Sequence, residues 1–165
     1  MHRLISGYEQ LLRTAVIWLA GVSGLAVLAM TAVTVMDVIL RKSPWAFAGT
    51  YDVVKVLGAI SISAALPYTT AVKGHVAIEF FYHKLGRKGR LVLDIFLRVL
   101  SIGLLSLAVR ECVRYGQMLS QTGQVSQTLQ MPIFWVPYFT AGCLGLMILV
   151  MLYHMTHPGK TLLKP

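Results

Sequence analysis

Four apolar runs, at residues 14–36, 53–72, 91–109 and 133–155, are 23, 20, 19 and 23 residues long in a chain of 165. A helix rising ~1.5 Å per residue needs roughly 20 residues to cross a hydrocarbon core ~30 Å thick. All four runs meet that length. Composition agrees: 13% of the residues are charged and mean hydropathy is +0.69, whereas a soluble domain is about a quarter charged. Lipid offers the backbone no hydrogen-bond partner, so a spanning segment is a helix or part of a closed barrel. The runs lack the period-two alternation of a barrel strand. The sequence therefore predicts an all-α membrane protein with four transmembrane helices. The spans consume most of the chain, so residues 1–165 are expected to form one four-span domain.

Lys and Arg set the orientation. Arg3, Arg13, Lys73, Lys84, Arg87, Lys88, Arg90, Lys160 and Lys164 lie on one side of the spans. Only Arg41, Lys42, Lys55, Arg110 and Arg114 lie on the other. The positive-inside bias then puts both termini and the middle loop in the cytoplasm, an N-in/C-in topology. The net charge of +9 reads as this topology signal plus attraction to anionic lipid headgroups, and no nucleic-acid partner is expected. The first run is too long for a cleavable signal peptide, whose apolar region is ~7–15 residues, so it reads as a retained anchor. Cys112 and Cys143 show no metal spacing, and no disulfide is expected between them.

The loops differ in character. Residues 41–52 mix Trp45 and Tyr51 with charge, which fits either an aromatic belt at headgroup depth or a partner contact. In the middle loop, Ile78, Phe81, Tyr82 and Leu85 fall at i, i+3, i+4 and i+7, with Gly86 as a stop. That pattern predicts a short amphipathic helix on the membrane surface. Residues 115–131, rich in Gln and uncharged, read as a loop that is either solvated or docked on a protein, and Pro132 suits the start of the last helix.

Charges inside the spans are the remaining polar features. Asp94 and Arg98 are four apart on one helical face and are expected to pair. An unpaired charge near mid-bilayer costs on the order of 3 kcal/mol on insertion scales, so Arg98 is expected to face protein or to snorkel. Asp37, four residues before Arg41, invites the same reading. Substrate sites of secondary transporters use broken helices in paired repeats; here Pro67 is the one strong interior breaker and has no counterpart. The five histidines, at 2, 75, 83, 154 and 157, lie at or outside span ends, which disfavours a haem anchor. No phosphate-binding loop or nucleophile motif points to an enzyme.

Several segments together resemble a known family. They are Asp37 with Arg41, then Trp45, then Asp52 opening the second span. Gly74-His75-Val76-Ala77-Ile78-Glu79 follows, and finally the stretch from Thr128 through Pro132 and Trp135 to Tyr138. In order and spacing they are similar to the small membrane subunit, the Q subunit of the DctQ type, of tripartite ATP-independent periplasmic (TRAP) transporters. The resemblance covers essentially the whole chain. It departs at Asp52, where the family more often has Glu, and at 77–79, where it tends to a Val-Asp ending; both positions keep an acid.

The resemblance implies a non-catalytic subunit of a multi-pass complex in the bacterial inner membrane. A periplasmic binding protein delivers an organic acid to a large elevator-type subunit, which moves it with sodium ions. The small subunit would support the immobile frame, and its outer loops would help dock the binding protein. No cofactor is expected in this subunit, sodium sites being expected in the large one. Partner contacts are expected at Asp37, Arg41, Trp45, Asp52, His75, Glu79, Asp94, Arg98, Pro132 and Trp135, with membrane lipids around them. Small residues four apart, Ala20 with Gly24 and Ala141 with Gly145, would supply packing seams. Two other classes stay open on sequence: the membrane anchor of a redox complex, and a small self-sufficient oligomeric exporter.

Overall fold

The computed structural model describes the backbone of residues 2–41, 49–72 and 87–156, with side chains described over 8–41, 49–72 and 96–153. Four helices account for nearly all of it: α1 (His2–Leu40), α2 (Thr50–Ala71), α3 (Arg87–Thr122) and α4 (Trp135–Thr156). Among the described residues, three stretches are long and apolar enough to cross a membrane: Tyr8–Leu40, Thr50–Ala71 and Trp135–Tyr153. The run at 91–109 lies inside α3. The surface helix expected at 78–85 lies outside the described residues.

Two helices outrun their apolar runs. At ~1.5 Å per residue, the 39 residues of α1 and the 36 of α3 are ~58 and ~54 Å long. The extension of α3 corrects the reading of 115–131 as a loop, because the chain stays helical through Thr122. Gln117, Met118, Leu119 and Gln121 are good helix formers, and no breaker intervenes before Gly123. That glycine ends the helix with φ +62°, a left-handed conformation that costs glycine little. The Gln124 N–H then donates back to the Leu119 carbonyl at 3.3 Å, the closure expected when a left-handed residue follows a helix.

Side-chain contacts set direction and order. The Ser23 hydroxyl of α1 donates to the Ser61 carbonyl of α2 at 2.9 Å. Further along, Val16 of α1 packs with Ala71 of α2 and Val150 of α4, so α1 and α2 run antiparallel. Ser63 of α2 meets Thr140 of α4 at 2.9 Å, while Ala71 meets Val150. These pairs keep a nearly constant offset, so α2 and α4 run parallel. Gly116 of α3 lies against the Tyr138 ring of α4, which makes α3 and α4 antiparallel. The spatial order is α1, α2, α4, α3. The short connections in the sequence predict that successive helices are antiparallel neighbours, and that fails between α2 and α3, which flank α4 instead of packing together.

Pro67 does not break α2. It is fully buried, and the helix continues to Ala71 although Pro67 has no N–H to give the Ser63 carbonyl. Several other hydroxyls, including Thr31, Thr34, Thr69 and Ser106, donate to the carbonyl four residues earlier, which satisfies them where no water is at hand.

The helices stand side by side, so much apolar surface is uncovered. Leu11, Trp18, Leu25 and Leu28 fall at i, i+7, i+14 and i+17 along α1, and each is at least 68% exposed. Such a stripe is a liability in water and is normal against lipid or a neighbouring helix. The seam expected at Ala20 and Gly24 is not used within the chain, since a side chain added at Gly24 would meet nothing within 4 Å. Ala141 is buried, whereas Gly145 likewise has open space.

Candidate interaction site

Three of the polar residues singled out in the sequence, Asp37, Arg41 and Asp52, converge where α1 ends, α2 begins and a hairpin joins α3 to α4. Asp52 sits in the first turn of α2, where a negative charge is favoured by the helix dipole. Its Oδ2 accepts the backbone N–H of Thr128 at 2.8 Å and of Leu129 at 2.9 Å. The Ser126 hydroxyl also hydrogen-bonds the carboxylate. Charge-assisted bonds of this type are about twice as strong as neutral ones. Here they tie a loop 76 and 77 residues away in sequence to the start of α2.

That loop is a narrow hairpin. Val125 and Pro132 form an isolated antiparallel bridge. Ser126 N–H donates to the Met131 carbonyl at 2.9 Å, and the Met131 N–H returns to the Ser126 hydroxyl at 3.2 Å. Gln130 has φ 51°, an uncommon conformation for a residue with a side chain, which the closed turn imposes. Pro132 therefore does not open the last helix. It occupies the bridge, where its missing N–H goes unneeded at the edge, and α4 begins at Trp135. At the hairpin tip, Leu129 lies over Gly49, so close that a Cβ there would stand 2.5 Å from Leu129 Cδ2. Any side chain at 49 would force Leu129 to shift.

Asp37 and Arg41 close the neighbouring helix end. Arg41 Nε and Nη2 both reach Asp37 Oδ2, each at 2.8 Å. The Thr50 hydroxyl also bonds the Asp37 carboxylate, which links the end of α1 to the start of α2. Asp37 is buried and Arg41 exposed, so the guanidinium presents a positive face outward. Trp135 is part-exposed beside the same hairpin. A cleft of about 300 Å³ opens between α2, α3 and the hairpin.

Arg98 is on α3, half-buried and engaged in an interaction there. Asp94 is on the same helix, and its side chain lies outside the described residues. Trp45, His75 and Glu79 also lie outside them. Sequence reasoning missed the helix-to-helix polar contacts: Ser23 with Ser61, Ser63 with Thr140, and Tyr153 donating to Glu9 at 2.7 Å. Hydroxyls inside apolar runs were the available signal, because in lipid such groups must find a protein partner. Among the described residues no three His, Cys, Asp or Glu side chains could hold a metal, and both cysteines are free thiols.

Comparison with known families decides the classification. The family model for tripartite ATP-independent periplasmic transporters, DctQ component, matches residues 30–158. The chain belongs to the DctQ family. The match takes in Asp37, Asp52, the hairpin and all of α2 to α4. No curated protein and no solved structure matches the chain. As a DctQ component it is a non-catalytic, multi-pass membrane part of a TRAP transporter, which displaces the redox-anchor and self-sufficient exporter readings.

Proposed function

We propose that this DctQ component is a stationary support for the large membrane subunit of its transporter. It sits in the bacterial inner membrane with four spans and both termini in the cytoplasm, which puts the hairpin and Asp52 on the periplasmic side. The large subunit carries the organic acid and the coupling sodium ions, and this subunit holds no cofactor. The hairpin, fixed on α2 by Asp52, is offered to the periplasmic binding protein.

One observation carries the reading: the helices form a row in which polar groups bond from helix to helix while the apolar flanks face outward. Ser23 ties α1 to α2, Ser63 ties α2 to α4, and Tyr153 ties α4 back to Glu9 of α1, so these bonds stiffen α1, α2 and α4 against one another. The stripe at Leu11, Trp18, Leu25 and Leu28 is left for a neighbour. A rigid row with an apolar edge extends a frame, because helices in lipid associate by close packing.

Co-purification tests this. A tagged large subunit should retain the chain, and Arg98→Leu, Asp94→Leu and the double change Trp18→Ala with Leu25→Ala should each lower its recovery severalfold. Full recovery with all three sets would overturn the proposed contact.

A further inference from the structure

We infer that the outer face of α3 around Arg110 and Arg114 docks on the large membrane subunit, against an acidic side chain there. The partner rests on the support reading, whereas the placement of the charges rests on the fold alone.

α4 is the helix that α3 packs on. The face turned to it is a buried and half-buried stripe, Ile102, Leu105, Val109, Cys112, Gly116 and Leu119, at helical spacing over several turns. Gly116 lies against the Tyr138 ring. Because the two helices are antiparallel, each residue back along α3 from Gly116 is matched by one forward along α4 from Tyr138. Arg114 is therefore about level with Thr140, and Arg110 with Leu144. Leu144 is nine residues from either end of the apolar span Trp135–Tyr153. Thr140 bonds Ser63, which is itself near the middle of α2, Thr50–Ala71. The charges that end the apolar run of α3 thus stand at mid-depth of its neighbours.

Those charges point away from α4. Phe96, Leu100 and Leu107 are exposed along the opposite face of α3, as suits lipid, and Arg110 and Arg114 continue the same face at i+14 and i+18 from Phe96, also exposed. A charged side chain at such depth almost always faces protein or water. Arg114 Nη1 pairs with Glu111 Oε1 at 3.3 Å, whereas Arg110 has no carboxylate partner among the described residues. The cluster carries one positive charge in excess, so the surface that complements it supplies a carboxylate. A binding protein outside the membrane would meet the hairpin and would not reach this depth.

Recovery of the chain on a tagged large subunit, extracted from membranes in mild detergent, tests this. The double change Arg110→Leu with Arg114→Leu should lower recovery about tenfold, because a buried carboxylate on the partner loses its counter-charge. Arg110→Lys with Arg114→Lys should keep most of it. Exposure to lipid predicts the opposite for the leucine variant, since leucine is far better tolerated than arginine against acyl chains. That variant should still reach wild-type abundance in the membrane, which separates docking from folding. With p-benzoylphenylalanine in place of Glu111, illumination should join the chain to the large subunit. Equal recovery of the leucine variant and wild type overturns the inference and leaves the support reading standing, as does a photoproduct that contains the binding protein in place of the large subunit. Failure of the wild-type chain to co-purify at all would instead sink the support reading, and this docking face with it.

Discussion

Asp52 Oδ2 accepts the Leu129 backbone N–H at 2.9 Å, and the side chain of the same leucine closes over Gly49, three residues before Asp52. The hairpin tip is thus gripped twice by the start of α2, once by charge and once by shape. Removing either grip has a different consequence.

Asp52→Asn replaces a charged acceptor with a neutral amide of the same size, weakening both N–H contacts together. The expected result is faster amide exchange at Thr128 and Leu129, by about tenfold or more, with little change in the helices. Hydrogen–deuterium exchange by mass spectrometry reads this directly. Unchanged protection of the hairpin would show that Ser126 and Met131 hold it unaided.

Gly49→Ala puts a methyl group into Leu129, and Gly116→Ala puts one about 3.0 Å from the Tyr138 ring. Overpacking of this kind costs about 1–3 kcal/mol. Gly49→Ala should fall in that range, since Leu129 is pinned by its backbone. Gly116→Ala should cost less, because Tyr138 is part-exposed and its ring can shift. Thermal unfolding of the two variants in detergent should rank them in that order.

The fold was legible in the sequence wherever lipid dictates it. Apolar length together with the lack of period-two alternation located the four helices, because backbone in a bilayer must be helix or closed barrel. Helix ends were less legible, because α3 leaves its apolar run at Val109 and continues through Gln117 and Gln121, residues as content in a helix as in a loop. Pro132 misled for a related reason, since proline suits both a helix start and an unpaired edge position. Asp37 with Arg41 could be read from spacing alone, and the structure pairs them. The partners of Asp52 could not, because a contact across 77 residues leaves no local periodic trace. The row order α1, α2, α4, α3 was hidden too, since apolar faces in lipid do not reveal which neighbour covers them.

Ser63→Ala should cost about 0.6 kcal/mol, the typical worth of a side-chain hydrogen bond between membrane helices, and Thr140→Val about the same. In a double-mutant cycle the two losses should not add, because both remove the same Ser63–Thr140 hydrogen bond between α2 and α4. Additive losses would mean that the Ser63–Thr140 bond contributes nothing and each change acts through other contacts, such as that of the Thr140 hydroxyl with the Val136 carbonyl.

Topology is checked in a background where Cys112 and Cys143 are replaced by serine. Gln124→Cys, on the hairpin, should react with a membrane-impermeant thiol reagent added to intact cells. Arg87→Cys, at the start of α3, should react only after the membrane is opened. The reverse pattern would invert the assigned orientation.

Competition uptake by the assembled transporter, with this subunit present, absent or carrying Asp52→Asn, tests the support role most directly. The account predicts that omission reduces uptake to background. It also predicts that Asp52→Asn lowers the maximal rate severalfold while the ranking of competing organic acids stays the same. A changed ranking in the Asp52→Asn transporter would put part of the substrate site in this subunit and contradict the account.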